Sequence, residues 1–133
     1  MQDNVITLAV DELNNDTTVD YDFTRYEEFQ NRSVYIGEDH DLAARDTLSL
    51  YRTFPKASGN YKGNAKSTLK FSKDYEVTGV DGVSTLTAPV ILEVSFSIPV
   101  GVAAADRMIL RQRAIAILDS DTFMESLTSQ LMV

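Results

Sequence analysis

The stretch VILEVSFSIPVGVAAADRMILRQRAIAIL, residues 90–118, decides the fold class, because it changes period in the middle. Over Val90–Ile98, Glu93, Ser95 and Ser97 fall on one side, and Leu92, Val94, Phe96 and Ile98 on the other. Successive strand residues point to opposite faces, so this is a half-buried strand. Pro99 and Gly101 end it. Ala103–Leu118 is rich in helix formers, with Met108, Ile109, Ala114, Ile115 and Leu118 available for burial and Arg107, Arg111 and Arg113 on a polar side. Asp119–Asp121 interrupts that helix. Thr122 and Glu125 then have capping-box spacing for a second helix, whose stripe is Phe123, Leu127 and Leu131. Both helices follow every strand, so the chain is α+β rather than α/β.

Working back from this junction, two further strands share the same design. Asp46–Phe54 places Thr47, Ser49, Tyr51 and Thr53 on one face, opposite Leu48, Leu50, Arg52 and Phe54. Lys66–Ser72 groups Lys66, Thr68, Lys70 and Ser72 against Leu69 and Phe71. Pro55–Gly63 is a turn-rich connection. Tyr75–Ala88, with Gly79, Asp81 and Gly82, reads as a long loop or loose hairpin. Nearer the N-terminus, Asn4–Val10 and the alternating Thr17–Thr24 form a hairpin around Asn14-Asn15-Asp16. Arg32–Ile36 is a short strand stopped by Gly37. The expected organisation is one domain over 1–133: a hairpin in 1–24, sheet in 32–98 and helices in 103–132.

Composition narrows the function. The 133 residues contain no cysteine and one histidine, so neither a disulfide framework nor a thiolate nucleophile is available. With no glycine-rich phosphate loop and no nucleophile–base pair, an enzyme is disfavoured and no cofactor is called for. The cluster Glu38-Asp39-His40-Asp41 is a turn, and consecutive residues rarely point at one metal. No run of about 18 apolar residues is present, which argues against a membrane helix. The opening MQDNVITLAV lacks a basic region and a long apolar core, which argues against a signal peptide. The net charge of −8 hides a basic island: residues 45–73 carry seven basic side chains and one acid, between acidic flanks. Such an island suits a surface that meets an anion, or a solvated lysine-rich strand.

A sheet polar on one face and apolar on the other needs a cover for the apolar face alone. Two short helices cover a five- or six-stranded sheet poorly. The expectation is therefore an intertwined homodimer in which helices of a second chain complete the layer.

The order of elements, together with Thr47-Leu48-Ser49-Leu50, Thr68-Leu69-Lys70 and Glu93-Val94-Ser95-Phe96-Ser97-Ile98, resembles the coat proteins of small single-stranded RNA bacteriophages, the leviviruses. The three motifs look like that family's T-x-S-V, T-I-K and D-V-T-F-S-F strands. The resemblance implies dimers with a continuous sheet, a quasi-equivalent icosahedral shell assembled in the host cytoplasm, and an inner sheet face that binds a genomic RNA hairpin. That contact represses replicase translation and favours packaging. Residue by residue, Thr47 and Ser49 match hydroxyls that contact an unpaired adenine, and Thr68 and Lys70 match the other wall of its pocket. Arg45 and Lys66 match flanking phosphate contacts, and Glu93 matches an Asp or Asn near the hairpin bases. The family's stacking Tyr is Ile91 here. Tyr51, on the face of Ser49, is the aromatic available in its stead. The chemistry agrees, since RNA is read at splayed, unpaired bases and held through phosphates. A dimeric RNA-binding sheet domain that forms no shell is the alternative.

Overall fold

The computed structural model describes residues 4–129. Six strands form one sheet in chain order: β1 (Val5–Val10), β2 (Val19–Phe29), β3 (Arg32–Gly37), β4 (Asp46–Thr53), β5 (Asn64–Thr78) and β6 (Thr85–Pro99). Every neighbour is antiparallel. Helices α1 (Ala104–Leu118) and α2 (Asp121–Ser129) follow. This is the α+β order expected from the 90–118 junction.

Several boundaries differ from the sequence expectation, each for a physical reason. β2 runs on to Phe29, because a bulge between Arg25 and Glu27 shifts the register and breaks the alternation that marks a strand. β5 and β6 pair through Thr78 and Thr85, so most of Tyr75–Ala88 is ladder rather than loop. Pro89 is tolerated because β6 is the sheet edge, where a missing N–H breaks no pairing. Helix α2 begins at Asp121, which puts Thr122 inside its first turn rather than at the cap of a capping box. Asp119 closes α1 at its C-terminus, donating its N–H to the Ile115 carbonyl at 2.9 Å, and the Ser120 N–H donates to the Ile117 carbonyl at 3.3 Å. Leu131, the last residue of the expected apolar stripe, and the expected helix end at 132 lie outside the described residues.

The register sorts the sheet cleanly. Leu48 faces Phe71 across β4–β5 and Tyr35 across β3–β4, while Leu50 faces Leu69. The buried residues Phe23, Tyr35 and Leu48 belong to this face, with Ile6, Leu8, Tyr21, Leu50, Leu69 and Phe71 packed around them. Phe23 lies on β2 and Phe71 on β5. In a flat sheet three strand spacings would separate them by roughly 14 Å, yet their ring centroids are 5.9 Å apart. The sheet therefore curls, and the β1–β2 hairpin folds over the apolar face. A bulge strengthens local twist, and the one in β2 lies where that bend is needed.

A polar latch fixes the curl. The Tyr21 hydroxyl donates to the buried Asp46 carboxylate, lies 3.1 Å from Asp39 Oδ2 and accepts from the Asp39 N–H at 3.3 Å. The Asp46 N–H donates to His40 Nδ1 at 3.1 Å. Gly37 is required beside them, since a Cβ there would collide with the Asp46 carboxylate. Burial, and then the Asp46 carboxylate, push the Tyr21 phenol well above its ordinary value.

The cover stops there. Val90, Leu92 and Phe96 of β6 remain exposed. Neither helix has a buried residue, and the helices pack chiefly on each other. The Asn14 side-chain amide at the hairpin tip donates to Asp121 Oδ1 at 2.7 Å. No helix among the described residues is long and apolar enough to cross a membrane.

Leu48→Ala is expected to cost about 2–5 kcal/mol, as large-to-small changes in a packed core do. Leu42→Ala, at a fully exposed loop position, is expected to stay within about 0.5 kcal/mol. Urea midpoints at one fixed protein concentration compare the two.

Candidate nucleic-acid interface

The face opposite the core is polar over β4, β5 and β6, and the register arranges it in rows. Thr47, Ser72 and Ile91 form one row, and Ser49, Lys70 and Glu93 the next. Tyr51, Thr68 and Ser95 form a third, and Thr53, Lys66 and Ser97 a fourth. Ser49 and Lys70 are thus direct partners, and Thr47 and Thr68 each lie one diagonal step from that pair, about 7–8 Å, on opposite sides of it. Seven of the eight residues singled out from the sequence share this surface: Thr47, Ser49, Tyr51, Lys66, Thr68, Lys70 and Glu93. The eighth, Arg45, precedes β4 and is exposed. Its backbone is held by Asp74, which accepts the Arg45 N–H at 3.1 Å and donates its own N–H to the Arg45 carbonyl at 2.8 Å. Eight residues of strand separate Arg45 from Thr53, the partner of Lys66. The two cations therefore flank the face roughly 27 Å apart along the strands.

Local bonding gives each row a different character. Thr68 Oγ1 and Ser95 Oγ lie 3.2 Å apart, so one hydroxyl donates to the other. Asn64 Nδ2 donates to Ser97 Oγ at 3.1 Å and the Tyr61 hydroxyl donates to Asn64 Oδ1, which ties the 55–63 connection to β6. Lys70 and Glu93 are direct cross-strand partners. Among the described residues no ion pair within 4 Å closes between them, so the lysine head is not spent on its neighbour. The combination can accept and donate hydrogen bonds to a flat polar ligand and attract an anion, within a row of small side chains that leaves room above the sheet.

Three placements refine the sequence reading. Tyr51 and Ile91 stand two rows and two strands apart, about 16–17 Å by strand geometry. Tyr51 therefore offers an aromatic surface on the same face but not at the position of Ile91. Arg32 of β3, opposite Tyr51, joins the polar face, although Glu27 holds it at 3.1 Å. Ser95 joins it through Thr68. Alternation in the sequence puts Ser95 on the side of Glu93, whereas Arg32 shares its parity with Val34 and Ile36 and is placed only by its pairing with Tyr51. Lys73, by contrast, leaves the basic inventory of this face. It lies opposite Asp46 on the core side, bonds Asp39 at 3.0 Å and rests 5.4 Å from the centre of the Tyr75 ring.

The acidic turn is likewise occupied by structural bonds. Asp39 serves Lys73 and Tyr21, His40 serves Asp46, and the Asp41 carboxylate accepts the N–H groups of Ala43 and Ala44 at 2.6 and 2.8 Å. Among the described residues no group of three acidic or histidine side chains converges on a point that could hold a metal.

No family model and no curated protein matches the chain. Solved structures do. The virus-like particle of bacteriophage AVE019 superposes with a TM-score of 0.77 at 21% identity, over 98% of both chains. That of Beihai levi-like virus 21 gives 0.73 at 11% identity, over 100% of this chain and 98% of the other. The particle of bacteriophage ESE058 gives 0.72 at 14%, over 100% and 99%. The chain has the fold of the levi-like virus-like particles. The likeness spans all six strands and both helices, so the levi-like fold accounts for the whole described architecture, uncovered helices included.

The Asp39–Lys73 bond carries a pH signature. The Lys73 hydrogen bond, and after it the Tyr21 hydrogen bond, hold the Asp39 carboxyl below its ordinary value, while the Asp39 bond holds the Lys73 ammonium above its own. A depressed carboxyl contributes its stability above the unfolded value, near 3.8, and loses it as pH falls through the folded one. Titration of Asp39 by carboxyl-carbon NMR is expected to give a midpoint below that of a free aspartate. Lys73→Met is expected to move it back up.

Proposed function

We propose that this chain is a capsid protein, which dimerises and closes into a shell around single-stranded RNA. The observation that carries the reading is the fold shared end to end with chains of levi-like virus-like particles, combined with apolar elements that one chain leaves uncovered. Met108, Ile109, Leu110, Ile115, Ile117, Leu118, Phe123 and Leu127 are each about half exposed. Completing their burial gives about 1 kcal/mol each, half the 1.5–3 kcal/mol of a full burial. Two copies together gain roughly 16 kcal/mol, before Val90, Leu92 and Phe96 are counted. Association costs an estimated 4–15 kcal/mol, so burial at this scale supports an intertwined pair. The 15-residue edge of β6 supports it too, because its unpaired backbone groups suit a second β6 and a sheet continuous across the dimer.

The polar face then becomes the inner surface. Thr47, Ser49, Thr68 and Lys70 hold an unpaired base, Arg45 and Lys66 take phosphates, and Glu93 and Tyr51 set which bases are tolerated. A genomic hairpin bound there serves as packaging signal and translational repressor. The reading is supported by the cationic character of residues 45–73 and by the gathering of the hydroxyls and Lys70 on one face. Sequence-specific RNA reading usually targets unpaired, splayed bases, and hydroxyls and a lysine can hydrogen-bond the edge of one.

Electron microscopy of the protein produced alone tests assembly: closed, uniform particles containing nucleic acid are expected. Dimers that never assemble under any condition would leave the non-capsid RNA-binding domain standing instead. For the RNA face, Lys70→Ala is expected to weaken hairpin binding and reduce the salt slope by about one. Lys73→Ala, on the other face, is expected to leave the slope unchanged. Equal slopes for all three proteins would remove Lys70 from the interface.

A further inference from the structure

The two ends of the β5–β6 ladder differ in charge. Residues 74–88 form an arm with Asp74, Glu76 and Asp81 and no basic side chain. Its turn is closed from inside by the Asp81 carboxylate, which accepts the Val83 and Ser84 N–H groups at 3.0 and 2.9 Å. The opposite end meets the connection 55–63, PKASGNYKG, which carries Lys56 and Lys62 and no acid.

The bonds of that connection give it one shape. Ser58 and Tyr61 exchange backbone hydrogen bonds, N–H to carbonyl, at 2.8 and 3.1 Å. Gly63 has φ of +91°, and a Cβ there would come within 2.7 Å of three Lys56 backbone atoms, so the two ends of the connection touch. The Gly63 carbonyl accepts the Val100 N–H at 2.9 Å, just past β6. Tyr61 is then tethered through its side chain. Its hydroxyl donates to Asn64 Oδ1, and Asn64 Nδ2 donates in turn to Ser97 Oγ at 3.1 Å. Asn64 has the parity of Lys66, Thr68 and Lys70, and Ser97 that of Glu93 and Ser95, so the tether ends on the polar face and holds the ring at its rim. Lys66 is the direct partner of Ser97. Tyr61 stays 52% exposed although its hydroxyl is satisfied.

A tyrosine held this way offers π surface with no unmet polar group. Any base can stack on such a ring, and single-stranded nucleic acid is bound where aromatic side chains lie along a cationic groove. We propose that Tyr61 is a further RNA contact of this chain: a stacking platform for one unpaired base, with Lys66 taking the neighbouring phosphate. The proposal rests on the RNA-face reading and lengthens that face. Asn64 lies six residues from Lys70, roughly 20 Å along β5. A strand held at the Ser49–Lys70 row runs over Lys66 and ends on Tyr61. Ile91 leaves the first row without an aromatic, and Tyr61 supplies stacking at the other end.

Binding of a ten-nucleotide oligouridylate to the unassembled full-length protein, across a salt series, tests this. Tyr61→Leu is expected to weaken binding at least fivefold and leave the salt slope unchanged, because the ring carries no charge. Tyr61→Phe keeps the ring and is expected to stay within twofold of wild type. Lys66→Ala is expected to reduce the slope by about 0.7, the value of one phosphate contact on a single strand. With 5-bromouridine throughout the oligonucleotide, irradiation is expected to cross-link Tyr61, which mass spectrometry of the digested protein identifies. That cross-link is made on the wild-type chain, so it decides the matter should Tyr61→Leu fail to fold. Wild-type affinity in Tyr61→Leu, equal losses in the Leu and Phe variants, or cross-links on the polar face that spare Tyr61 would overturn the proposal alone. Normal RNA binding with lost particles in Tyr61→Leu would do the same, and would make Tyr61 a contact between copies. Binding indifferent to Lys66, Lys70 and Tyr61 alike would overturn the RNA-face reading and the proposal with it.

Discussion

A six-stranded sheet with one apolar face must cover that face, and everything distinctive about this chain follows from how it does so. The chain covers half by curling. The β2 bulge bends the sheet until Phe23 meets Phe71, and the hairpin that arrives with Phe23 buries Tyr35 and Leu48 beneath it. The curl is costly to hold, since it places a carboxylate, Asp46, in the interior. An ionised group there is tolerated only when hydrogen-bonded. Tyr21 from the hairpin satisfies it, so the bend and the buried charge stabilise each other. The other half of the face, on β6, has no such cover within the chain.

That division explains why the helices look unfinished. A helix whose apolar residues are spread round its circumference is normally enclosed on several sides. In α1, Met108, Ile109, Leu110, Ile115, Ile117 and Leu118 point in several directions, and none is buried. One sheet face could take only one stripe of such a helix. A helix lying between its own neighbour and the elements of a second chain would use them all. The same sequence economy appears in β6, which has an apolar face, a polar face and a free backbone edge. Each of the three surfaces suits a different contact.

How far the sequence foretold this depends on which physical signal each element carries. Alternation in β4, β5 and β6 made the two faces legible, and with them Thr47, Ser49, Lys66, Thr68 and Lys70 as one surface. The helix pair was legible from composition and the Pro99–Gly101 break. The rest was hidden where a tertiary feature overrides a local one. The bulge at Arg25 erased the period that would have extended β2. Gly79, Gly82 and Pro89 are turn residues by habit, but here an edge position and an internal carboxylate absorb them into a hairpin. Lys73 counted as part of the basic island along the chain, yet one step of pleat sends it to the opposite side of the sheet. Residue spacing gives parity, and only register gives neighbours, which is why the separation of Tyr51 from Ile91 emerged from the structure alone.

Charge and burial finally converge on a single asymmetry. Cations are concentrated in 45–73, and the register places Lys66 and Lys70 on the face that the curl leaves open, while acids dominate the hairpin, the arm and α2. The acidic hairpin, arm and α2 repel nucleic acid, while the open face of β4 and β5 attracts it. Had the basic residues faced the curled side, an anion and an apolar cover would compete for the same surface. Lys73 is the exception that clarifies the arrangement. The one cation of the β5 ladder that does face the core side is neutralised by Asp39 and drawn into the latch. The pleat therefore separates the two tasks: apolar contact on one face, anion contact on the other, with the same three strands providing both.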